Sequence, residues 1–289
     1  MPRHYAETSL GQVHLRVEGR GPALLLLGSA GRSLRVFDPL VPLLEGAFTV
    51  IAPDLPGSGN SDPLPPGAGI TALAGCMVEV LASLDIARAH VYGFHTGNKI
   101  GAALAAGWPQ RVDRLVLAGQ SHSLIPVNEQ RNGVIRGRTS NYFASQDQRG
   151  SEAKAVRDWE TLQVNVNDLW WPAGSKNEGA LRDRALAQAR RQVLDEIQCF
   201  DGIPALYEAN FAYDFHADLQ RITAPTLVLE VETPDENRKL GLQAGRVCAL
   251  IGHSVARSLR ADGFRLTLED QADELAAVLL EFLAESRRA

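Results

Sequence analysis

His90-Val91-Tyr92-Gly93-Phe94-His95-Thr96-Gly97 is the stretch on which the fold turns. It reads as a short strand that enters a tight turn, with helical sequence following from about Asn98 to Gly107. Gly93 and Gly97 frame the turn in a G-x-H-x-G pattern. Such a turn holds its middle residue in a strained backbone region with positive φ, where His, Asn and Asp are enriched among non-glycine residues. His95 is therefore expected at the apex of a strand–turn–helix corner without wrecking the turn.

Outward from this corner the chain alternates strand and helix. Arg3–Leu10 and Gln12–Glu18 alternate polar and apolar residues about Gly11, as a hairpin does. Pro22–Leu27 is a continuous apolar run of strand length, expected of a strand buried on both faces. A helix fits Ser33–Glu45, Phe48–Ala52 reads as the next buried strand, and Thr71–Leu84 carries a helical apolar stripe. Arg114–Ala118 is a further strand. This rhythm predicts an α/β fold, a mostly parallel central sheet with helices on both faces. From Ser121 to Arg221 the rhythm stops: no buried strand appears for roughly a hundred residues, far beyond an ordinary connection. Helical stretches near Asn128–Gln146, Ala153–Val166, Ala180–Cys199 and Pro204–Tyr213 predict an inserted helical lid over residues 121–221. The core domain is then 1–120 with 222–289, where a strand at Pro225–Val231, a helix at Asn237–Ile251, a strand at Val255–Leu259 and a helix at Ala272–Leu283 complete the sheet. No internal repeat or low-complexity segment interrupts it.

A chain of 289 residues at 45% hydrophobic content can bury one large core. The net charge of −5 argues against nucleic acid or anionic membranes as partners, since both want clustered basic surface. Cys76, Cys199 and Cys248 are odd in number and far apart, with no C-x-x-C pair or Cys/His cluster, so neither a disulfide framework nor a metal site is expected. Free thiols suit a reducing compartment. Met1–Arg20 lacks the apolar core of a signal peptide, and no apolar run approaches the roughly 18 residues that span a membrane. A cytoplasmic location is the expectation.

Two further motifs carry a family resemblance. Asp54-Leu55-Pro56-Gly57-Ser58-Gly59-Asn60-Ser61 matches a D-x-P-G-x-G-x-S loop, and the turn at His95 matches G-x-S-x-G except for its serine. With these, the chain resembles the α/β-hydrolase superfamily along nearly its whole length. The resemblance implies that Ser58 and Ser61 are structural, with Asp54 capping local backbone. It also implies that the backbone N–H groups of Ser29, in Leu27-Gly28-Ser29, and of Thr96 form an oxyanion hole, although the histidine common before the glycine is Leu27 here. The acid of the family would be Asp235, with Glu232 the second choice; Asp235 as the N-cap of the following helix fits equally. The terminal catalytic histidine is replaced by Phe264, in Asp262-Gly263-Phe264-Arg265-Leu266, and His253, upstream, is expected to cap a helix. Two of three triad positions have changed, so a Ser-His-Asp esterase is not expected.

What survives is an imidazole beside two backbone donors. A histidine acts as base, acid or nucleophile near neutral pH, and proton abstraction or attack next to a carbonyl would use both parts. The expected function is a cofactor-independent enzyme on a small carbonyl compound, hydrolase- or lyase-like, with His95 and Asp235 as the catalytic pair. The alternative is a pseudo-hydrolase that binds a small ligand under the lid. Phe94, His122, Trp170, Trp171 and Phe264 are the candidates for the pocket wall, with Phe143 and Phe211 close behind; the aromatic residues would serve equally as the lid's own core. Tyr213 and His216 are assigned to packing. A small-molecule substrate is the expected partner, and the oligomeric state is left open, with a homodimer as one outcome.

Overall fold

The computed structural model describes residues 4–119, 129–130, 133, 136–137, 194–195, 197–232, 242–260 and 271–284. Their strands are β1 (His4–Thr8), β2 (Gly11–Gly19), β3 (Ala23–Leu27), β4 (Thr49–Pro53), β5 (Ala89–Phe94), β6 (Val112–Ala118), β7 (Thr226–Glu232) and β8 (Ser254–Arg260). They form one sheet in the order β1-β2-β4-β3-β5-β6-β7-β8. β1, β2 and β4 pair antiparallel, and every pairing from β4 through β8 is parallel. Helices among the described residues include α1 (Val41–Leu44), α2 (Ile70–Ser83), α3 (Thr96–Gly107), α4 (Ile203–Ala212), α5 (Phe215–Leu219), α6 (Ala244–Cys248) and α7 (Ala272–Ala284). This is the expected α/β architecture. None of the described helices is long and apolar enough to cross a membrane.

The period of two along each strand divides the core into two halves. Leu25, Leu27, Val91, Leu115 and Leu117 face a cluster completed by α2 and α3. Their neighbours Leu24, Leu26, Tyr92, Val116 and Ala118 face a second cluster completed by α1 and α7. A continuous apolar run such as Ala23–Leu27 is what a strand covered on both sides requires.

The helix expected over Ser33–Glu45 is instead a 3₁₀ turn at Leu34–Phe37 followed by the short α1. Pro39 and Pro42 explain the break, because each lacks an N–H and its ring collides with the preceding turn. The lid as read from sequence includes α4 and α5. Leu206, Ala209, Phe215 and Leu219 from these helices are buried in the same cluster as α3. His253 sits exposed in the turn before β8, and the carbonyls of Cys248, at the end of α6, and of Ile251 accept from the Ser254 hydroxyl rather than from the histidine.

The Asp54–Ser61 loop is held by one buried carboxylate. Asp54 accepts from the Leu34 N–H at 2.6 Å and the Asn60 N–H at 2.9 Å, and it pairs with His14 Nδ1 at 2.8 Å. The Ser61 hydroxyl donates to the Asp54 carbonyl and accepts from the His14 N–H. Both roles are structural, as expected. Asp54→Ala strands these donors without a partner and is expected to lower unfolding free energy by about 3–5 kcal/mol, measured by urea denaturation. A loss no larger than that of an exposed substitution would show that the loop does not depend on this carboxylate.

Candidate active site

β3 is flanked by β4 on one side and β5 on the other, so the chain winds outward in both directions from it. In an open α/β sheet the crevice beyond the strand ends lies at such a switch point. The loop after β3, the turn after β5 and the end of β6 meet there.

The turn after β5 is the predicted corner. His95 has φ 50° and ψ −105° and is the residue immediately before α3. Its N–H donates to the Ala118 carbonyl at the end of β6, 3.2 Å away. The corner is too tight for side chains at its flanks: a Cβ on Gly93 would strike the Gly97 carbonyl, and one on Gly97 would strike the Leu27 carbonyl. Without that Cβ, the Gly97 N–H reaches the Gly28 carbonyl at 2.9 Å and ties α3 to the loop after β3.

The first N–H groups of a helix have no acceptor inside it. Gly97 and Asn98 find theirs at Gly28 and His95. Among the described residues the N–H groups of Ser29 and Thr96 have none. The Thr96 hydroxyl accepts from the Ala30 N–H at 3.2 Å and from the Asn210 side-chain amide at 3.0 Å, which joins the loop, the helix and α4.

The half-buried His95 ring stacks on Phe94, with centroids 4.1 Å apart and planes 25° from parallel. Gly119, at φ 59°, also borders the ring: a Cβ there would come within 2.5 Å of Phe94 Cε2, 2.6 Å of His95 Cδ2 and 2.9 Å of His95 Nε2. Phe94 thus lies beside the apex. Behind the turn, Lys99 is fully buried; its Nζ donates to the His95 carbonyl at 3.3 Å and lies 5.1 Å from the centre of the Phe215 ring. Glu232 is half-buried at the end of β7. Asp235, His122, Phe143, Trp170, Trp171 and Phe264 lie outside the described residues. Phe211 is half-buried on α4 beneath the Arg136 guanidinium, 4.6 Å from its ring centre. Tyr213 donates to Asp218 at 2.6 Å, and His216 is exposed.

Two buried cysteines offer no competing nucleophile. Cys199 contacts the Gly59 N–H, but burial, with the charge of Asp195, pushes its thiol up to about 12. Burial pushes Cys76 up to about 11. Neither is a thiolate at neutral pH.

Gly119, Lys99 and Asn210 were not singled out in the sequence. Lys99 left a signal there, a single charge in an otherwise uncharged helix. Asn210 left none, because its partner Thr96 is 114 positions away.

The α/β hydrolase fold model matches residues 22–233, and the chain belongs to that family. Over 236 residues it is 32% identical to a 2-hydroxy-6-oxononadienedioate/2-hydroxy-6-oxononatrienedioate hydrolase from Cupriavidus pinatubonensis, covering 78% of this chain and 72% of that protein. It is 26% identical over 281 residues to a fluoroacetate dehalogenase from Burkholderia sp., covering 94% and 90%. A solved hydrolase from Pseudomonas aeruginosa superposes with a TM-score of 0.72 at 25% identity, covering 97% of this chain and 98% of the other. A match at 38% identity to an uncharacterised protein of Mycobacterium tuberculosis runs over 113 residues, 33% of that protein's length.

Gly119→Ala places a methyl group against the His95 ring and imposes positive φ on an alanine. It is expected to cost about 1–3 kcal/mol and to shift the His95 ring resonances in NMR. Because the methyl group also meets Phe94 Cε2 at 2.5 Å, the cost should fall only in part in the His95→Ala background, and the ring resonances are the deciding readout: no shift of them in Gly119→Ala would show that the His95 ring does not occupy this space.

Proposed function

We propose that the chain is a hydrolase of a small carbonyl-containing molecule, with His95 as the base or nucleophile. The observation that carries this reading is an imidazole at the apex, flanked by the N–H groups of Ser29 and Thr96, neither of which has an acceptor among the described residues. As base, His95 takes a proton from water, the hydroxide adds to the carbonyl carbon, and the two N–H groups hold the developing oxyanion. Collapse breaks the bond to the leaving group, which receives the proton from the imidazolium. As nucleophile, an imidazole nitrogen adds to the same carbon, collapse of the oxyanion breaks the bond to the leaving group, which takes the proton from the other ring nitrogen, and water then cleaves the resulting acyl-imidazole to the acid and free imidazole. Asp235, matched by sequence to the family's acid, is the carboxylate proposed to orient the ring.

The named relatives, one a hydrolase of a 2-hydroxy-6-oxo diacid and one a dehalogenase, support hydrolysis as the reaction class over lyase-type elimination. Phe94 supplies an apolar wall at the apex, and His122, Trp170, Trp171 and Phe264 are proposed to complete the pocket. One sequence feature favours the second reading, a ligand-binding protein without turnover: Phe264 stands where the family's terminal histidine falls.

The two readings separate in one experiment. Wild type and His95→Ala are incubated with a 2-hydroxy-6-oxo-dienoate and with p-nitrophenyl acetate, and products are followed by absorbance and mass. Hydrolysis adds the mass of water across the products, and His95→Ala is expected to lower kcat/KM by about 10²- to 10⁴-fold. Asp235→Asn should lower kcat by a smaller factor and leave KM near that of wild type. Binding without turnover in wild type, or turnover unchanged in His95→Ala, would overturn the catalytic reading.

A further inference from the structure

The Thr96 hydroxyl carries a constraint that its backbone N–H does not. A hydroxyl has one proton and two acceptor lone pairs. Both acceptor directions at Thr96 are engaged, one by the Ala30 N–H at 3.2 Å and one by Asn210 Nδ2 at 3.0 Å. The orientation of the Asn210 amide is fixed by its second contact. The atom bonded to Thr96 also lies 2.7 Å from the Leu206 carbonyl oxygen, which can only accept, so it is the nitrogen and not the oxygen. Asn210 is 7% exposed, so water does not compete freely for these bonds, and its Oδ1 is buried with no partner. The hydroxyl of Thr96 is thereby left with its proton alone to give. Among the described residues nothing accepts it.

We propose that the Thr96 hydroxyl is a third donor to the substrate oxygen, beside the N–H groups of Ser29 and Thr96, and that Asn210 is the positioning residue that holds it in the donor orientation. The position follows from connectivity. Thr96 Oγ1 is bonded to the loop that carries the Ser29 N–H, and it belongs to the residue that carries the other N–H. The hydroxyl is therefore held within one residue of each backbone donor. Three donors that converge from one side suit an oxygen that gains full negative charge, either a tetrahedral oxyanion or the carboxylate of an acid product. An amide or a ketone that stays neutral uses two. This inference rests on the proposed hydrolase reading, from which it takes the place of the oxyanion.

The test compares wild type, Thr96→Val, Thr96→Ser, Asn210→Leu, the Thr96→Val/Asn210→Leu double variant and His95→Ala. Two readouts are taken on protein whose folding is checked by circular dichroism: turnover of p-nitrophenyl acetate, and affinity for phenylacetate as a carboxylate probe. Thr96→Val keeps the shape and the backbone N–H; it is expected to lower kcat about 10- to 100-fold with KM little changed, and to weaken phenylacetate. Thr96→Ser, which restores the hydroxyl, should recover most of that loss. A residue that serves packing alone would not be rescued by the smaller serine. Asn210→Leu should fall between the two, and the double variant should be no worse than Thr96→Val, because both changes remove one device. His95→Ala should lose turnover and keep phenylacetate.

Loss of turnover in His95→Ala with both readouts unchanged in Thr96→Val overturns the third donor and leaves the hydrolase reading standing. A wild type that neither cleaves the ester nor binds phenylacetate overturns both. If Thr96→Val does not fold, Asn210→Leu decides alone: an unchanged kcat overturns the proposal, and a lowered kcat at constant KM supports it.

Discussion

The close approach of α3 to the loop after β3 is the constraint on which the site depends. The Gly97 N–H bonds to the Gly28 carbonyl, and the contact exists because Gly97 has no Cβ to strike Leu27. It brings the positive end of the α3 dipole to the strand ends, where negative charge is favoured. It also ties the helix start that carries the Thr96 N–H to the loop that carries the Ser29 N–H, directly after a residue, His95, held at positive φ. A side chain at residue 97 would move all of these together.

The Ser29 and Thr96 N–H groups belong to the main chain, so their presence does not depend on which side chain stands at the apex. The Lys99 amine beneath the His95 carbonyl and the Asn210 amide beside Thr96 brace the turn from α3 and α4. The apex side chain has its own requirement. An imidazole is far larger than a hydroxymethyl group, and the space it uses over β6 exists because residue 119 is a glycine.

Strands were legible in the sequence to within about two residues, because runs such as Leu24–Leu27 and Val91–Tyr92 are apolar on both faces and end at Gly or Pro. The corner at His95 was legible for a related reason: its glycines are spaced for one turn only. The helix over Ser33–Glu45 was misread because its apolar spacing outweighed Pro39 and Pro42, which the backbone cannot ignore. The order of strands in the sheet and the bonds from Asn210 to Thr96 are long-range facts, decided by packing, and no local pattern encodes them. Gly119 was invisible as a site residue for the same reason, since its need to be small arises only once β5 and β6 lie side by side.

The positive φ at residue 95 also limits how the chemistry of this chain can change by mutation. A histidine codon is one base away from codons for Asn, Asp, Tyr, Gln, Arg, Leu and Pro. Of these only Asn and Asp favour a left-handed backbone, and serine cannot be reached in a single step. The one-step neighbours best suited to the backbone of this corner therefore carry an amide or a carboxylate at the apex.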